Sequence, residues 1–157
     1  MRVARVVAGL TAVITAVLGL SLATAGPAAA AESGTWVAYG NTNPITSSSS
    51  LWKCAGTKTV TTNVLAQVCA IRTQNGGGAY VQGAVIVRNN RSSLYSTTAF
   101  LSLSHTFGSL MGTWACPSSG VSANSWSVCF GRTLFSDMNV EAEGSIGTLE
   151  LGRSPSV

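Results

Sequence analysis

Short runs of alternating apolar and polar residues fill most of this chain, and Gly, Asn, Ser or Pro interrupts them at close intervals. A period of two is the mark of a half-buried strand, and no segment outside the N-terminal leader carries the longer period of an amphipathic helix. Residues 35–39 (Thr-Trp-Val-Ala-Tyr) predict a first strand. Residues 40–50, with Asn41, Asn43, Pro44 and four serines in a row, predict a loose connection. The segment 32–50 is therefore expected to be an arm, or an edge strand added to the remainder.

Short strands are expected at 51–54 and 57–62, where repeated threonines suit a pleated, half-exposed surface, and a longer one at 64–73. Asn75-Gly76-Gly77-Gly78 turns the chain. The clearest strand is 79–88: Val81, Gly83, Val85 and Val87 share one face, Tyr80, Gln82, Ala84 and Ile86 the other. Both faces are largely apolar, which predicts a central strand covered on both sides. Asn89-Asn90 reads as a two-residue hairpin turn into a strand at 94–105, so three consecutive strands are expected to form a meander. Beyond a loop at 106–112, strands are predicted at 113–116, 126–134, 140–145 and 146–152, with a Ser/Gly/Asn loop at 117–125.

Over this pattern lies an apparent duplication. Trp52-Lys53-Cys54 is matched by Trp114-Ala115-Cys116 after 62 positions, and Val68-Cys69 with Arg72-Thr73 by Val128-Cys129 with Arg132-Thr133 after 60. All four cysteines fall in these units, which favours the local pairings Cys54–Cys69 and Cys116–Cys129. The expected fold class is all-β: a disulfide-stapled antiparallel β-sandwich, or barrel-like sandwich, built from two similar half-units, 51–112 and 113–157.

Composition changes the picture at the N-terminus. Arg2 and Arg5 precede an uncharged apolar run over 6–23, then Gly26-Pro27 and the small residues 28–31. That order predicts a secretory signal peptide over 1–31, cleaved after Ala31, with Ala23-Thr24-Ala25 as a second candidate site. Without it the chain from Glu32 has seven Lys and Arg against five acidic residues, a net charge of +2 instead of +4. The basic residues are scattered, which argues against nucleic acid as a partner. No later stretch is apolar enough to span a membrane, so none is expected as a partner after signal cleavage. Two disulfides suit export. The alanine-rich leader and the preference for Arg over Lys suggest a bacterial source, and glycosylation of the Asn90-Arg91-Ser92 sequon is not expected.

Candidate chemistry is sparse. His105 is the only histidine, placed at a strand end, with neither a Gly-x-Ser-x-Gly elbow nor a His-Glu-x-x-His motif in the chain. Glu141 and Glu143 share a strand face at a spacing that glycosidase carboxylates can use, but Glu-Ala-Glu is also the alternation of a solvated face. No catalytic residue, metal ligand or cofactor is assigned. Trp52 and Trp114 are expected to pack on disulfides in the core with their N–H groups satisfied, and Trp36 to be the most exposed tryptophan. Arg72 and Arg132 are expected to lie along the sheet. The candidate binding surface comprises Trp36 and Tyr39 of the first strand, Phe107 and Met111 of the 106–112 loop, and Ser118 and Asn124 of the 117–125 loop.

These features point to a secreted, non-catalytic protein that acts by surface contact, its partner a cell-envelope polysaccharide or an extracellular protein. An inhibitor or small-molecule carrier presenting the 117–125 loop is the alternative, and a hydrolase using His105, Glu141 and Glu143 a weaker one.

Overall fold

A computed structural model describes residues 30–157. The leader expected over 1–31 lies, but for its last two residues, outside the described residues. Among the described residues there are twelve strands and no helix. They form two packed sheets.

The first sheet has the order β1 (Glu32–Ser33), β8 (Leu110–Val121), β7 (Tyr95–His105), β11 (Val140–Ile146) and β12 (Leu149–Arg153). The second runs β2 (Thr35–Gly40), β9 (Ser125–Phe130), β6 (Gly78–Asn89), β5 (Val64–Asn75) and β3 (Leu51–Cys54). Two further strands extend this second sheet: β4 (Lys58–Thr61) along β5, and β10 (Leu134–Ser136) along β6. Pairing is antiparallel except between β1 and β8. The segment 32–40 thus supplies an edge strand to each sheet.

The core between the sheets follows from strand alternation. From the second sheet Val64, Ala66, Val68, Ala70, Val81, Val85 and Val87 face inward. They meet Leu101, Leu103, Trp114, Val140, Ala142, Ile146 and Leu151 of the first. Burying each Val, Leu or Ile in this way contributes roughly 1.5–3 kcal/mol. Leu101 and Ala142 can approach β6 closely because Gly83 has no β-carbon; one placed there would lie 2.6 Å from Leu101 Cδ1.

The three-strand meander does not form. β5 and β6 are a hairpin, but β6 and β7 belong to different sheets. The expected tight turn at Asn89-Asn90 is instead a corner, and Asn89 organises it. Fully buried, its Nδ2 donates to the carbonyls of Ser93, Val121 and Ser122 at 2.9–3.0 Å, while its Oδ1 accepts from Arg91 N. The 117–125 loop is also shorter than expected, because β8 continues to Val121 and pairs there with Tyr95 of β7.

Both disulfides pair locally, Cys54 with Cys69 and Cys116 with Cys129. They are placed differently. Cys54 and Cys69 face each other across neighbouring strands of one sheet, whereas Cys116 on β8 and Cys129 on β9 tie one sheet to the other. The matched tryptophans differ as well. Trp114 is fully buried in the inter-sheet core, its Nε1 donating to Glu32 Oε2 at 3.1 Å. Trp52 is half-buried on the opposite face of the second sheet, and its Nε1 is buried with no partner.

Candidate functional site

The outer face of the second sheet is where this protein departs from an ordinary solvated surface. Cys69 and Ile71 of β5, Ala84 and Ile86 of β6 and Val128 of β9 are buried there. Around them pack Tyr39, Ile45, Trp52, Cys54, Trp126 and Phe130. The covering element is the serine-rich segment 41–50, which joins β2 at one edge of the sheet to β3 at the other and so must cross its outer face.

This segment, read from sequence as loose, is an ordered strap. Asn43 Oδ1 accepts from Ile45 N, Asn43 O accepts from Ser47 N and Ser47 Oγ, and Ser48 Oγ accepts from Ser50 N. Such side-chain bonds to nearby backbone are how Asn and Ser hold turns. Pro44 is buried and Ile45 packs on the apolar face below. Arg88 Nη1 donates to Asn41 Oδ1 at 3.0 Å, and Ser50 Oγ lies 2.7 Å from Thr73 Oγ1.

Two openings lie on this face. The smaller, of about 100 Å³, is lined by Thr57, Leu65, Gln67, Ile86, Arg88 and Trp126; the Arg88 guanidinium lies 5.2 Å from the Trp126 ring centre. The larger cleft, of about 210 Å³, lies between Ser48 and Ser50 of the strap and Tyr39, Trp52, Thr73, Tyr80, Gln82 and Phe130 of the sheet. Trp52 and Phe130 meet edge to face, with ring centres 6.0 Å apart and planes at 68°. Gln82 Nε2 donates to Gly131 O at 2.7 Å, which anchors the amide without engaging its carbonyl oxygen. No Asp, Glu, Lys, Arg or His lines this cleft.

Of the candidate surface residues, only Tyr39 belongs to it. Trp36 points the other way, into the core between the sheets, half-buried, with Nε1 donating to Pro117 O at 2.8 Å. Strand alternation requires this: Val37 and Tyr39 cannot share a face with Trp36. Phe107 is fully exposed at the β7–β8 tip, while Met111 is half-buried against the core. Ser118 lies exposed within β8, and Asn124 at the turn before β9 has a left-handed backbone, φ 51°. The two ends of the candidate surface are therefore not one site. Sequence reading missed Trp52, Tyr80, Gln82 and Phe130 as a group. Their signal was the second apolar face of the 79–88 strand, which had to be covered or used.

The remaining candidates are engaged within the fold. His105 ends β7 half-buried, Nδ1 2.7 Å from Ser109 Oγ and Nε2 3.4 Å from Ser136 Oγ, with no carboxylate among its partners. Ser136 Oγ itself donates to Met138 O. Glu143 and Glu141 both clasp Arg153, at 2.6 and 3.2 Å. The hydrogen-bonded Glu143 carboxylate, with Glu141 beside it, holds the Arg153 guanidinium above its ordinary pKa. Arg72 donates to Met138 O at 3.0 Å, whereas Arg132 pairs with Glu32 at 3.5 Å, so the matched arginines have unlike roles. No group of three or more metal-ligating side chains occurs among the described residues, and no helix among them is long and apolar enough to cross a membrane.

Comparison with protein-family models, with curated proteins and with solved structures finds no match to this chain.

Proposed function

We propose that this chain is a secreted β-sandwich, exported on the leader at 1–31, that acts without catalysis by binding through the outer face of its second sheet. Its partner is a macromolecule outside the cell, a cell-envelope polysaccharide or an extracellular protein. The observation that carries the reading is the strapped aromatic cleft. The outer face of an antiparallel sheet is commonly solvated and polar, and an apolar patch rimmed by neutral polar groups is characteristic of a contact surface. Trp52 adds a buried indole N–H with no acceptor, a group that native proteins rarely leave unmatched.

The groups that could catalyse are already engaged within the fold. His105 is held by serines, and Glu141 and Glu143 are both engaged by Arg153. An inhibitory loop at 117–125 is disfavoured, since only residues 122–124 lie outside the strands there.

The test is retention of the protein without its leader on insoluble cell-envelope fractions and on immobilised extracellular proteins. Retention by one of these, lost on Trp52→Ala with the fold intact, is the expected result. Equal retention of the variant would remove the outer face from the reading.

A further inference from the structure

We infer that the cleft between the strap and the sheet receives a single uncharged sugar ring of a glycan. This rests on the outer-face reading above and names its ligand class. Three properties of the cleft select that class. Its lining has aromatic surface from Tyr39, Trp52, Tyr80 and Phe130 but no acidic or basic side chain. An anionic ligand would be desolvated there without a counter-charge, and a cationic one likewise. A nucleic acid would lack the basic residues that dominate its recognition.

Size gives the second. About 210 Å³ is below the roughly 300–1,000 Å³ of pockets that enclose drug-sized ligands. A pyranose ring is small and flat, with a face of C–H groups that packs on aromatic carbon and a rim of hydroxyls. An extended peptide, by contrast, would add to an edge strand and use backbone hydrogen bonds, which the middle of a sheet cannot offer.

The third is the set of polar groups with capacity to spare. Among the described residues the hydroxyls of Tyr39, Tyr80 and Thr133 make no side-chain hydrogen bond, and neither does Gln82 Oε1, although all four residues line the cleft. Trp52 offers its ring carbon there, since its Nε1 is itself buried. Neutral donors and acceptors around an aromatic floor match a ring of neutral hydroxyls, each able both to give and to accept. The strap contributes Ser48 and Ser50 from above, so the ring would be held between backbone-ordered serines and the sheet.

The experiment titrates the protein without its leader with short neutral oligomers of glucose, galactose and N-acetylglucosamine. Polygalacturonate serves as an anionic glycan and a mixed peptide library as the non-glycan arm. Tryptophan emission and calorimetry are read, and the same oligomers compete against retention on the envelope fraction. At least one neutral oligomer is expected to bind and to compete. Trp52→Ala should weaken it roughly tenfold or more, as loss of a central aromatic anchor does. Tyr39→Phe and Gln82→Leu, which barely change shape, should weaken it as well and decide the matter if Trp52→Ala does not fold. Leu110→Ala, exposed on β8 of the other sheet, should leave affinity unchanged. Trp52-dependent retention that no neutral oligomer competes would overturn the sugar assignment and leave the outer-face reading standing. Binding of neutral oligomers that is indifferent to Trp52, Tyr39 and Gln82 would overturn the cleft as its site. Retention indifferent to Trp52 would overturn both.

Discussion

Cys116 and Cys129 join the two sheets, their Cα atoms 6.1 Å apart and both residues all but inaccessible, at 1% and 0% exposure. Cys54 and Cys69 instead join two neighbours in one sheet, with Cys54 half-exposed. The two bridges close loops of similar length, 13 and 15 residues, so chain entropy gives each about 3 kcal/mol. Access to reagent separates them. A mild thiol reductant under native conditions should open Cys54–Cys69 first, followed by alkylation and peptide mapping. Replacing Cys116 and Cys129 together by Ala should lower the melting temperature by about 10 °C. Equal rates of reduction at the two bridges would contradict this account.

Trp114 has glycine on both sides. A β-carbon at Gly131 would lie 2.5 Å from Trp114 Cε3, and one at Gly112 2.6 Å from Cη2. Gly131→Ala should therefore displace a fully buried indole and break its bond to Glu32, costing about 1–3 kcal/mol in denaturant unfolding. Trp114→Phe in the same chain should recover part of that loss, because the smaller ring leaves room. Additive losses in the double variant would show that the clash lies elsewhere.

Asn89 serves three carbonyls and one amide at the corner where the chain changes sheets. Asn89→Ala should cost at least about 2 kcal/mol, since it strands buried acceptors. Asn89→Asp should cost more, because a carboxylate would face Ser93, Val121 and Ser122 carbonyls that need a donor. Chemical denaturation of the three proteins ranks them, and an Asp variant as stable as the parent would refute the assigned network.

Ile45 is the strap's apolar contact with the sheet. Ile45→Asp should loosen 41–50 while leaving the inter-sheet core intact. Hydrogen exchange is expected to rise in the strap and along the outer-face positions of β3, and not at Val85 or Leu101. Exchange that rises everywhere would mean the strap is part of the global folding unit.

Much of this fold was legible in the chain itself. The alternation in 64–73 and 79–88 predicted β5 and β6 and their hairpin. The doubled apolar pattern of 79–88 marked a strand covered on both faces. Cysteine spacing favoured both pairings. Asn89 misled because its buried amide, serving carbonyls of two separate segments, looks in sequence like an ordinary hairpin residue. The strap misled because its order comes from Asn43 and Ile45 resting on a surface that only the assembled sheet provides.

The apparent repeat shows where local sequence stops being informative. Cys69 lies opposite Ala84, which lies opposite Phe130, whereas Cys129 lies opposite Val85, and Val85 opposite Val68. The two Val-Cys motifs are thus carried in the same sheet with their registers offset by one residue. With a side-chain period of two, that offset sends Cys69, with Trp52 on the neighbouring β3, to the outer face and Cys129 to the core, which Trp114 enters from β8 of the other sheet. The sequence by itself determined most of the strands and which residues alternate with which, and it favoured the cysteine partners. Register and the assignment of strands to sheets were decided only in the tertiary structure, because they depend on contacts between segments far apart in the chain, and they determine which copy of the motif lies on the outer side of its sheet.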